Sequence, residues 1–182
     1  MRIIGGKYRG KKLFSPEADT IRPTSDRARE AVFNILYSKL EKAFADYAFL
    51  DVFAGTGAVG LEAVSRGFAE AGFVDVDLRC VRKNAAQFQG EIGKMSFYMQ
   101  DAAALLPASR RYDVVFLDAP YKKGLSIRAL SALREKNWLA DGALCIVETE
   151  RGEKLDIPDG FEKTDERRYG IARLVFLKFA IK

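Results

Sequence analysis

The stretch Asp51-Val52-Phe53-Ala54-Gly55-Thr56-Gly57-Ala58-Val59-Gly60 decides the fold of this chain. It follows the apolar residues 48–50 and leads directly into the helical run 58–67. The spacing Gly-x-Gly-x-x-Gly allows backbone amides at the start of a helix to approach a bound ligand closely. Many nucleotide-binding folds share this turn, and a turn packed tightly for structural reasons can carry it too. The pattern therefore predicts a strand, a loop and a helix without identifying the ligand.

Strand-like and helical runs alternate along the chain from residue 48 onward. The runs 58–67, 78–89 and 129–139 are helical in pattern. This alternation predicts an α/β, Rossmann-like fold with a mostly parallel seven-stranded sheet that ends in a C-terminal antiparallel hairpin. The seven predicted strands are 48–53, 71–77, 95–100, 113–118, 143–149, 161–169 and 171–180.

Composition restricts the class of protein to which the chain can belong. Its 182 residues, 48% of them hydrophobic and 30% charged, predict one globular core rather than a disordered chain. No apolar run reaches the roughly 18 residues of a membrane span, and residues 1–12 lack a signal-peptide core. We therefore expect a cytoplasmic monomer that has no membrane partner.

The chain contains no histidine and only two cysteines, Cys80 and Cys145, which lie far apart in sequence. These residues are too few for a disulfide framework or a zinc site, so we expect no metal. The lack of an imidazole also excludes Ser-His-Asp and Cys-His catalysis. Carboxylate, tyrosine or cofactor chemistry remains.

Acidic residues near the loop indicate which ligand it binds. Asp51 precedes the glycines, where an acid would repel a pyrophosphate but could bind the cationic amino group of a methionine moiety. Asp75 ends the next strand, in the position from which a carboxylate accepts hydrogen bonds from a ribose diol. Together they favour S-adenosylmethionine over NAD as the cofactor. Asp101 and Ala102 follow the third strand and could reach the adenine edge, although Asp101 could instead cap a helix over residues 103–106.

The fourth strand ends in Asp118-Ala119-Pro120-Tyr121, where we expect the chemistry. Open parallel sheets bind ligands at the carboxyl ends of their strands. The Asp118 carboxylate and the Ala119 carbonyl can both accept hydrogen bonds from the amino group of a base, which holds a weak nucleophile in place. Pro120 stiffens the turn and Tyr121 can stack on an extruded base. A Pro-Tyr turn capped by an aspartate is the structural alternative.

The first 16 residues are basic and precede a helix. They contain no acid, and their glycines predict a short hairpin or an arm that lies on the main body. Apolar residues at helical spacing then follow Ser25, and the exposed face of this helix is expected to carry Arg27 and Arg29. With a net charge of +5, these segments suit a polyanionic partner. The predicted phosphate contacts are Arg2, Lys7, Arg9, Lys11, Lys12, Arg22, Arg27 and Arg29.

Four blocks in order carry a resemblance over nearly the whole chain: RIIGGKYRGKKL (2–13), RPTSDRAREAVFNIL (22–36), FLDVFAGTGAVGLEAVSRG (49–67) and VVFLDAPY (114–121). With them, the chain resembles the bacterial 16S ribosomal RNA guanine-N2 methyltransferases of the RsmD family. The resemblance implies a class I S-adenosylmethionine-dependent methyltransferase fold. It also implies methyl transfer to the exocyclic N2 of a guanine, with 16S ribosomal RNA or the small ribosomal subunit as partner.

The resemblance further assigns roles to segments. Residues 1–45 are expected to form an RNA-binding extension and residues 46–182 the methyltransferase domain, with residues 118–121 holding the guanine. The family usually has Asp-Pro-Pro-Tyr, so Ala119 keeps the carbonyl acceptor but loosens the backbone, which affects rate more than reaction type. The expected cofactor-binding residues are Asp51, Phe53, Ala54, Gly55, Thr56, Gly57, Gly60, Asp75, Asp101 and Ala102.

Three other functions compete with this interpretation. A DNA adenine-N6 methyltransferase could use the same four-residue motif, but such enzymes commonly need a separate region to read base edges. A catalytically inactive RNA-binding Rossmann-like domain is disfavoured by the intact acids Asp51, Asp75 and Asp118. An NAD-dependent dehydrogenase is disfavoured by Asp51 and by the lack of histidine.

Overall fold

A computed structural model describes residues 1–16, 25–120 and 124–180. Seven strands form one sheet in the order β3-β2-β1-β4-β5-β7-β6. Strands β1 to β5 are mutually parallel, and β7 is antiparallel to both β5 and β6, as the sequence predicts. The strands are β1 (Ala48–Val52), β2 (Glu70–Asp75), β3 (Met95–Met99), β4 (Tyr112–Leu117), β5 (Leu139–Glu150), β6 (Phe161–Tyr169) and β7 (Ala172–Phe179).

Within the described residues, four α-helices cover the two faces of this sheet. They are α1 (Asp26–Lys39), α2 (Ala58–Ser65), α3 (Arg79–Ala85) and α4 (Leu125–Glu135). Apolar residues of α1, α2 and α3 pack on the face that includes Phe49 and Phe73, whereas α4 packs on the opposite face with Leu50 and Val115. Helix α4 begins and ends four residues earlier than the pattern 129–139 predicts, because Leu139 already belongs to β5.

The basic start of the chain is a hairpin that packs on α2 and α3. Its two arms pair through Ile3 and Lys11 and through Arg2 and Lys12. Ile3 and Leu13 are buried among apolar residues of both helices. The N-terminal segment therefore adds to the core of the main body, and the domain boundary between residues 45 and 46 stays a prediction.

The carboxylate of Glu62, on α2, holds the hairpin in place. It accepts hydrogen bonds from the backbone amides of Ile4 (2.8 Å) and Gly5 (2.7 Å) and from Arg66 Nε (2.8 Å). Arg29 Nε lies 3.8 Å from the same carboxylate, and both side chains are fully buried. One ionised group thus joins α1, α2 and the hairpin.

The prediction that Arg29 lies on an exposed face is wrong. Its side chain is fully buried, and Nη2 donates to the Arg2 carbonyl (2.7 Å) and to Asp26 (2.9 Å). The physical reason is helical position, since residue 29 is three and four residues before the buried Val32 and Phe33. Arg29 therefore stabilises the fold, and in this arrangement its guanidinium cannot reach a phosphate.

No helix within the described ranges combines the length and apolar character that a membrane span requires. In the same part of the chain, no three acidic or cysteine side chains are grouped as a metal site would need.

Replacing Glu62 with alanine is expected to lower the free energy of unfolding by about 3 to 5 kcal/mol, because Arg29 loses its buried counter-charge and two hairpin amides lose their acceptor. Urea denaturation followed by the fluorescence of Trp138 measures this change. The matched control is Glu162→Ala at an exposed position of β6, which should stay within about 0.5 kcal/mol of the parent. Equal midpoints and slopes for the two variants would contradict the proposed role of Glu62.

Candidate functional site

The predicted site residues converge at the carboxyl edge of the sheet. Strand β1 lies between β2 and β4, with Val52 in register with Val74 on one side and Leu117 on the other. Asp75 is the last residue of β2, and the Asp118 amide still donates to the Val52 carbonyl at 3.4 Å. Asp75 and Asp118 therefore lie at the ends of the two strands that flank β1 and the loop that follows it.

The loop is folded so that two of its glycines pack against protein and one faces open space. A Cβ on Gly57 would lie 2.3 Å from Val81 Cγ2, and one on Gly60 would lie 2.4 Å from Phe73 Cε1. On Gly55, whose φ is +55°, a Cβ would have only the Phe53 carbonyl oxygen within 4.0 Å among described residues. The side of the loop at Gly55 is therefore the side that a ligand can approach.

The residues next to Gly55 hold the loop in this shape. Phe53 has a φ of +63°, which is an unusual conformation for a residue with a side chain. The Ala54 amide donates to the Val74 carbonyl at 3.1 Å, and Thr56 is buried. Because the backbone is hydrogen-bonded to β2, the strained turn keeps its position at the end of β1.

Asp75 contacts the loop directly. Its Oδ2 accepts from the Gly55 amide at 2.8 Å, and its Oδ1 accepts from the Asp77 amide at 3.0 Å. The residue is half-buried, so the carboxylate is both oriented and accessible. This geometry fits an acceptor for hydroxyl groups of a ligand that lies beside Gly55.

Asp51 has an internal contact that the sequence did not reveal. It is only 3% exposed, and its Oδ2 accepts from the Gly60 amide at 2.8 Å. Burial raises the pKa of Asp51 to about 8, the Gly60 hydrogen bond lowers it, and the nearby charge of Asp75 raises it further. Asp51 therefore ties the first turn of α2 to the end of β1.

At the end of β3 the chain forms a turn and not a helix. Asp101 Oδ1 accepts from the Ala103 amide at 2.9 Å, and the Ala104 amide donates to the Asp101 carbonyl at 2.9 Å. The alternative in which Asp101 caps a helix over residues 103–106 is therefore wrong. Asp101 is exposed and Ala102 is buried at the same edge as Asp75.

The motif after β4 is described as far as residue 120. Asp118 is half-buried, Ala119 is buried and Pro120 is exposed. Tyr121 lies outside the described residues. The structure thus places the backbone of Asp118 next to the end of β1, where the glycine loop begins, and the role of Asp118 stays a prediction.

Two candidate functional residues, Asn84 and Glu148, were not predicted from the sequence. Asn84 Nδ2 donates to the Thr56 carbonyl and to the Phe14 carbonyl, both at 2.9 Å, and so connects the glycine loop to the end of the hairpin. Glu148 is 4% exposed near the carboxyl end of β5, next to β4. Its only sequence signal is a charged residue within the apolar run 143–149.

Most of the predicted phosphate-binding residues lie on the surface. Arg2 and Lys7 are exposed but contact acids, Arg2 at 3.9 Å from Asp26 and Lys7 at 2.7 Å from Glu91. The hydrogen bond to Glu91 raises the pKa of Lys7. The remaining basic residues of the hairpin are Arg9, Lys11 and Lys12. Within the described ranges, no acid forms an ion pair with these three side chains or with exposed Arg27. Arg22 lies outside those ranges.

Comparison with known proteins gives consistent matches. The family model described as "Conserved hypothetical protein 95" matches residues 1–178. "Ribosomal RNA small subunit methyltransferase D" of Escherichia coli K12 is 38% identical over 154 residues, covering 82% of this chain and 75% of that protein. The protein of the same name from Haemophilus influenzae is 34% identical over 177 residues, covering 94% and 90%.

Solved structures agree on the architecture. The yhhF protein of Escherichia coli has a TM-score of 0.83 at 33% identity, and the likeness covers 100% of this chain and 99% of that one. An RNA methyltransferase from Salinibacter ruber, crystallised with S-adenosyl-L-homocysteine, has a TM-score of 0.64 at 14% identity over 88% and 95% of the two chains. This second likeness concerns the fold alone. Together they confirm the predicted class I methyltransferase fold.

Replacing Asp51 with asparagine is expected to change how stability depends on pH. With its pKa raised to about 8, native Asp51 keeps its proton between about pH 4 and about pH 8, whereas the unfolded chain loses it. The native state then binds more protons, so the free energy of unfolding falls as pH rises through this window, by up to about 1.4 kcal/mol per unit. Asp51→Asn should be less sensitive to pH.

Urea unfolding at pH 5, 6.5 and 8 without added ligand measures the difference between variant and parent. That difference should grow in favour of the variant with rising pH. Asp141→Asn, at an exposed position of β5, is the control and should follow the parent. Parallel curves for Asp51→Asn and the parent would show that Asp51 ionises normally in the folded protein.

Proposed function

This chain belongs to the ribosomal RNA small subunit methyltransferase D family, and we propose that it methylates the exocyclic N2 of a guanine in 16S ribosomal RNA. As a member of this family it is a ribosomal RNA methyltransferase that uses S-adenosylmethionine. The choice of guanine N2 is the further step. The observation that supports it is the position of Asp118, directly after β4, with its amide bonded to the Val52 carbonyl where the glycine loop begins.

The loop and the acids around it suit S-adenosylmethionine. Gly55 leaves open space beside the Asp75 carboxylate, which we assign to the ribose hydroxyls. The buried Asp51, close to Asp75, is assigned to the cationic amino group of the methionine moiety. When bound, S-adenosylmethionine supplies an electrophilic methyl group on a positively charged sulfur. Asp101 and Ala102 are assigned to the adenine edge.

Asp118 and Ala119 are assigned to the methyl acceptor. The amino nitrogen of guanine is conjugated with the ring and is a poor nucleophile, so orientation matters. The Asp118 carboxylate and the Ala119 carbonyl accept from its two N–H groups and direct its free face toward the cofactor. The same carboxylate stabilises the positive charge that the nitrogen gains on methylation. Tyr121 is assigned to stacking on the extruded base.

The hairpin is assigned to the phosphates of the RNA. Its exposed Arg9 and Lys12 and the half-buried Lys11 lie on a segment that Glu62 and Asn84 hold against the methyltransferase core. Phosphate contacts position an RNA without reading its sequence. The hairpin would therefore contribute affinity, and the motif after β4 would determine which base is modified.

Two substitutions at the carboxyl edge should separate cofactor binding from catalysis. Asp75→Ala should weaken S-adenosylmethionine binding by about 1 to 3 kcal/mol, because the ligand loses hydrogen bonds to a charged group. Asp118→Ala should abolish turnover and leave that affinity nearly unchanged, because Asp118 contacts the base. Calorimetry measures the affinity, and transfer of a labelled methyl group to small subunits from cells lacking the protein measures turnover.

Nucleoside analysis of the methylated RNA tests the choice of base. N2-methylguanosine is expected, and N6-methyladenosine would replace this proposal with the adenine-specific alternative. Asp113→Asn serves as a control, since Asp113 accepts from the Ala48 amide at the opposite end of the β1–β4 pair. A protein that binds no S-adenosylmethionine would instead be an inactive RNA-binding domain.

Neutralising Arg9, Lys11 and Lys12 together should weaken RNA binding most at low salt. Each lost phosphate contact lowers the magnitude of the slope of log K against log salt by about 0.7 to 0.9. Filter binding between low and moderate salt measures the slope, and the modified nucleoside should remain the same. The control removes the same charge away from the hairpin, with alanine at Lys42, Lys136 and Lys178. Equal slopes for both variants would show that the hairpin is purely structural.

A further inference from the structure

Glu148 is a buried acid in a strand that is otherwise built for the core. The side chain is 4% exposed, and the residues before it, Ile146 and Val147, are fully buried. Its register partner on β7 is the buried, apolar Leu174. A carboxylate is buried in a fold only where it is hydrogen-bonded or paired. Glu148 is therefore an acid held within an apolar segment, near the end of β5 that lies at the carboxyl edge of the sheet.

The register places Glu148 beside Asp118. Leu117 and Val147 are the last pair of the parallel β4–β5 ladder, so Glu148 follows on β5 and Asp118 follows directly after the end of β4. Two residues earlier on each strand, Phe116 and Ile146 belong to one apolar cluster on the α1 side of the sheet. The Asp118 amide still donates to the Val52 carbonyl, so the chain continues the line of β4 there. Side chains alternate along a strand, which puts Asp118 and Glu148 on that face, on neighbouring segments about 4.8 Å apart.

Two neighbouring carboxylates match the donors of one base. Guanine presents its N1–H beside its 2-amino group, so that adjacent acceptors can each receive a hydrogen bond. Adenine presents an unprotonated N1 beside its amino group, and a carboxylate facing that nitrogen would be repelled and left unsatisfied. An enzyme that extrudes its base can read this Watson–Crick edge directly.

We propose that Glu148 accepts a hydrogen bond from N1–H of the target guanine while Asp118 holds the 2-amino group. This inference rests on the proposed function and adds a specificity-determining residue to it. Asp118 alone accepts from an amino group, which adenine also offers, whereas Glu148 discriminates by the proton on N1. Base choice then depends on the pair of adjacent strand ends and not only on the motif after β4.

The probe is 2-aminopurine, which keeps the 2-amino group of guanine but has an unprotonated N1. Small-subunit RNA carrying guanosine or 2-aminopurine at the methylated position is made by ligating a synthetic segment, then reconstituted into particles. The parent protein should methylate guanosine at least about tenfold more efficiently, as expected for one hydrogen bond to a charged group. Equal kcat/KM on the two substrates would overturn the proposal without any variant.

Glu148→Gln should reduce or reverse the preference for guanosine over 2-aminopurine. Its amide can donate to the N1 of 2-aminopurine, so kcat/KM should fall about 10- to 100-fold on guanosine and stay level or rise on 2-aminopurine. Glu150→Gln, two residues further along β5 and half-exposed, is the matched control and should keep the preference of the parent. An equal loss on both substrates would assign Glu148 a structural role, and an unchanged preference would remove it from base reading.

Failure of the role proposed for Glu148 can be distinguished from failure of the proposed function. If the parent yields N2-methylguanosine but the variant keeps its preference, only the role of Glu148 fails. If the parent yields another nucleoside, the proposed function fails first. Calorimetry with S-adenosylmethionine and thermal melting of Glu148→Gln check that the folded cofactor site is intact, and Glu148→Asp, which retains the charge, should retain the preference for guanosine.

Discussion

The buried carboxylate of Glu62 is the contact on which the arrangement of this protein depends. It accepts from two hairpin amides and from Arg66, and it lies 3.8 Å from the guanidinium of Arg29. A buried ion pair is weak evidence of stability by itself, but removal of one partner leaves an uncompensated charge. Because α2 also starts at the glycine loop, the position of the hairpin and that of the loop are mechanically linked.

The glycines of the loop have two different functions, close packing and access for a ligand. Gly57 and Gly60 bring α2 close to Val81 and Phe73, where a side chain would collide. Gly55 leaves the outer side of the turn open beside Asp75. Hence two of the three glycines in the motif are required by packing, and the motif alone cannot show which backbone atoms meet a ligand.

The acids at the carboxyl edge differ in environment and therefore in role. Asp51 is buried and bonded to the Gly60 amide, whereas Asp75 is half-buried and oriented by two backbone amides. Asp118 and Glu148 follow the last pair of the β4–β5 ladder, Leu117 and Val147. In the proposed function, acids of one chemical type are thereby divided between holding the turn, binding the cofactor and holding the base.

The sequence by itself determined the seven strands, the mostly parallel sheet with its C-terminal antiparallel hairpin and the edge at which the acids meet, because alternation and strand-end position are local properties of the chain. It also contained the position of Arg29 on the apolar side of α1, but its charge argued for solvent. Only the tertiary structure brings Glu62, 33 residues away, and the Arg2 carbonyl to the buried guanidinium, which also donates to Asp26. Likewise, Glu148 became a neighbour of Asp118 only through the register of two strands separated by a helix. Contacts of this kind depend on which distant segments pack together, so the tertiary structure alone decided them.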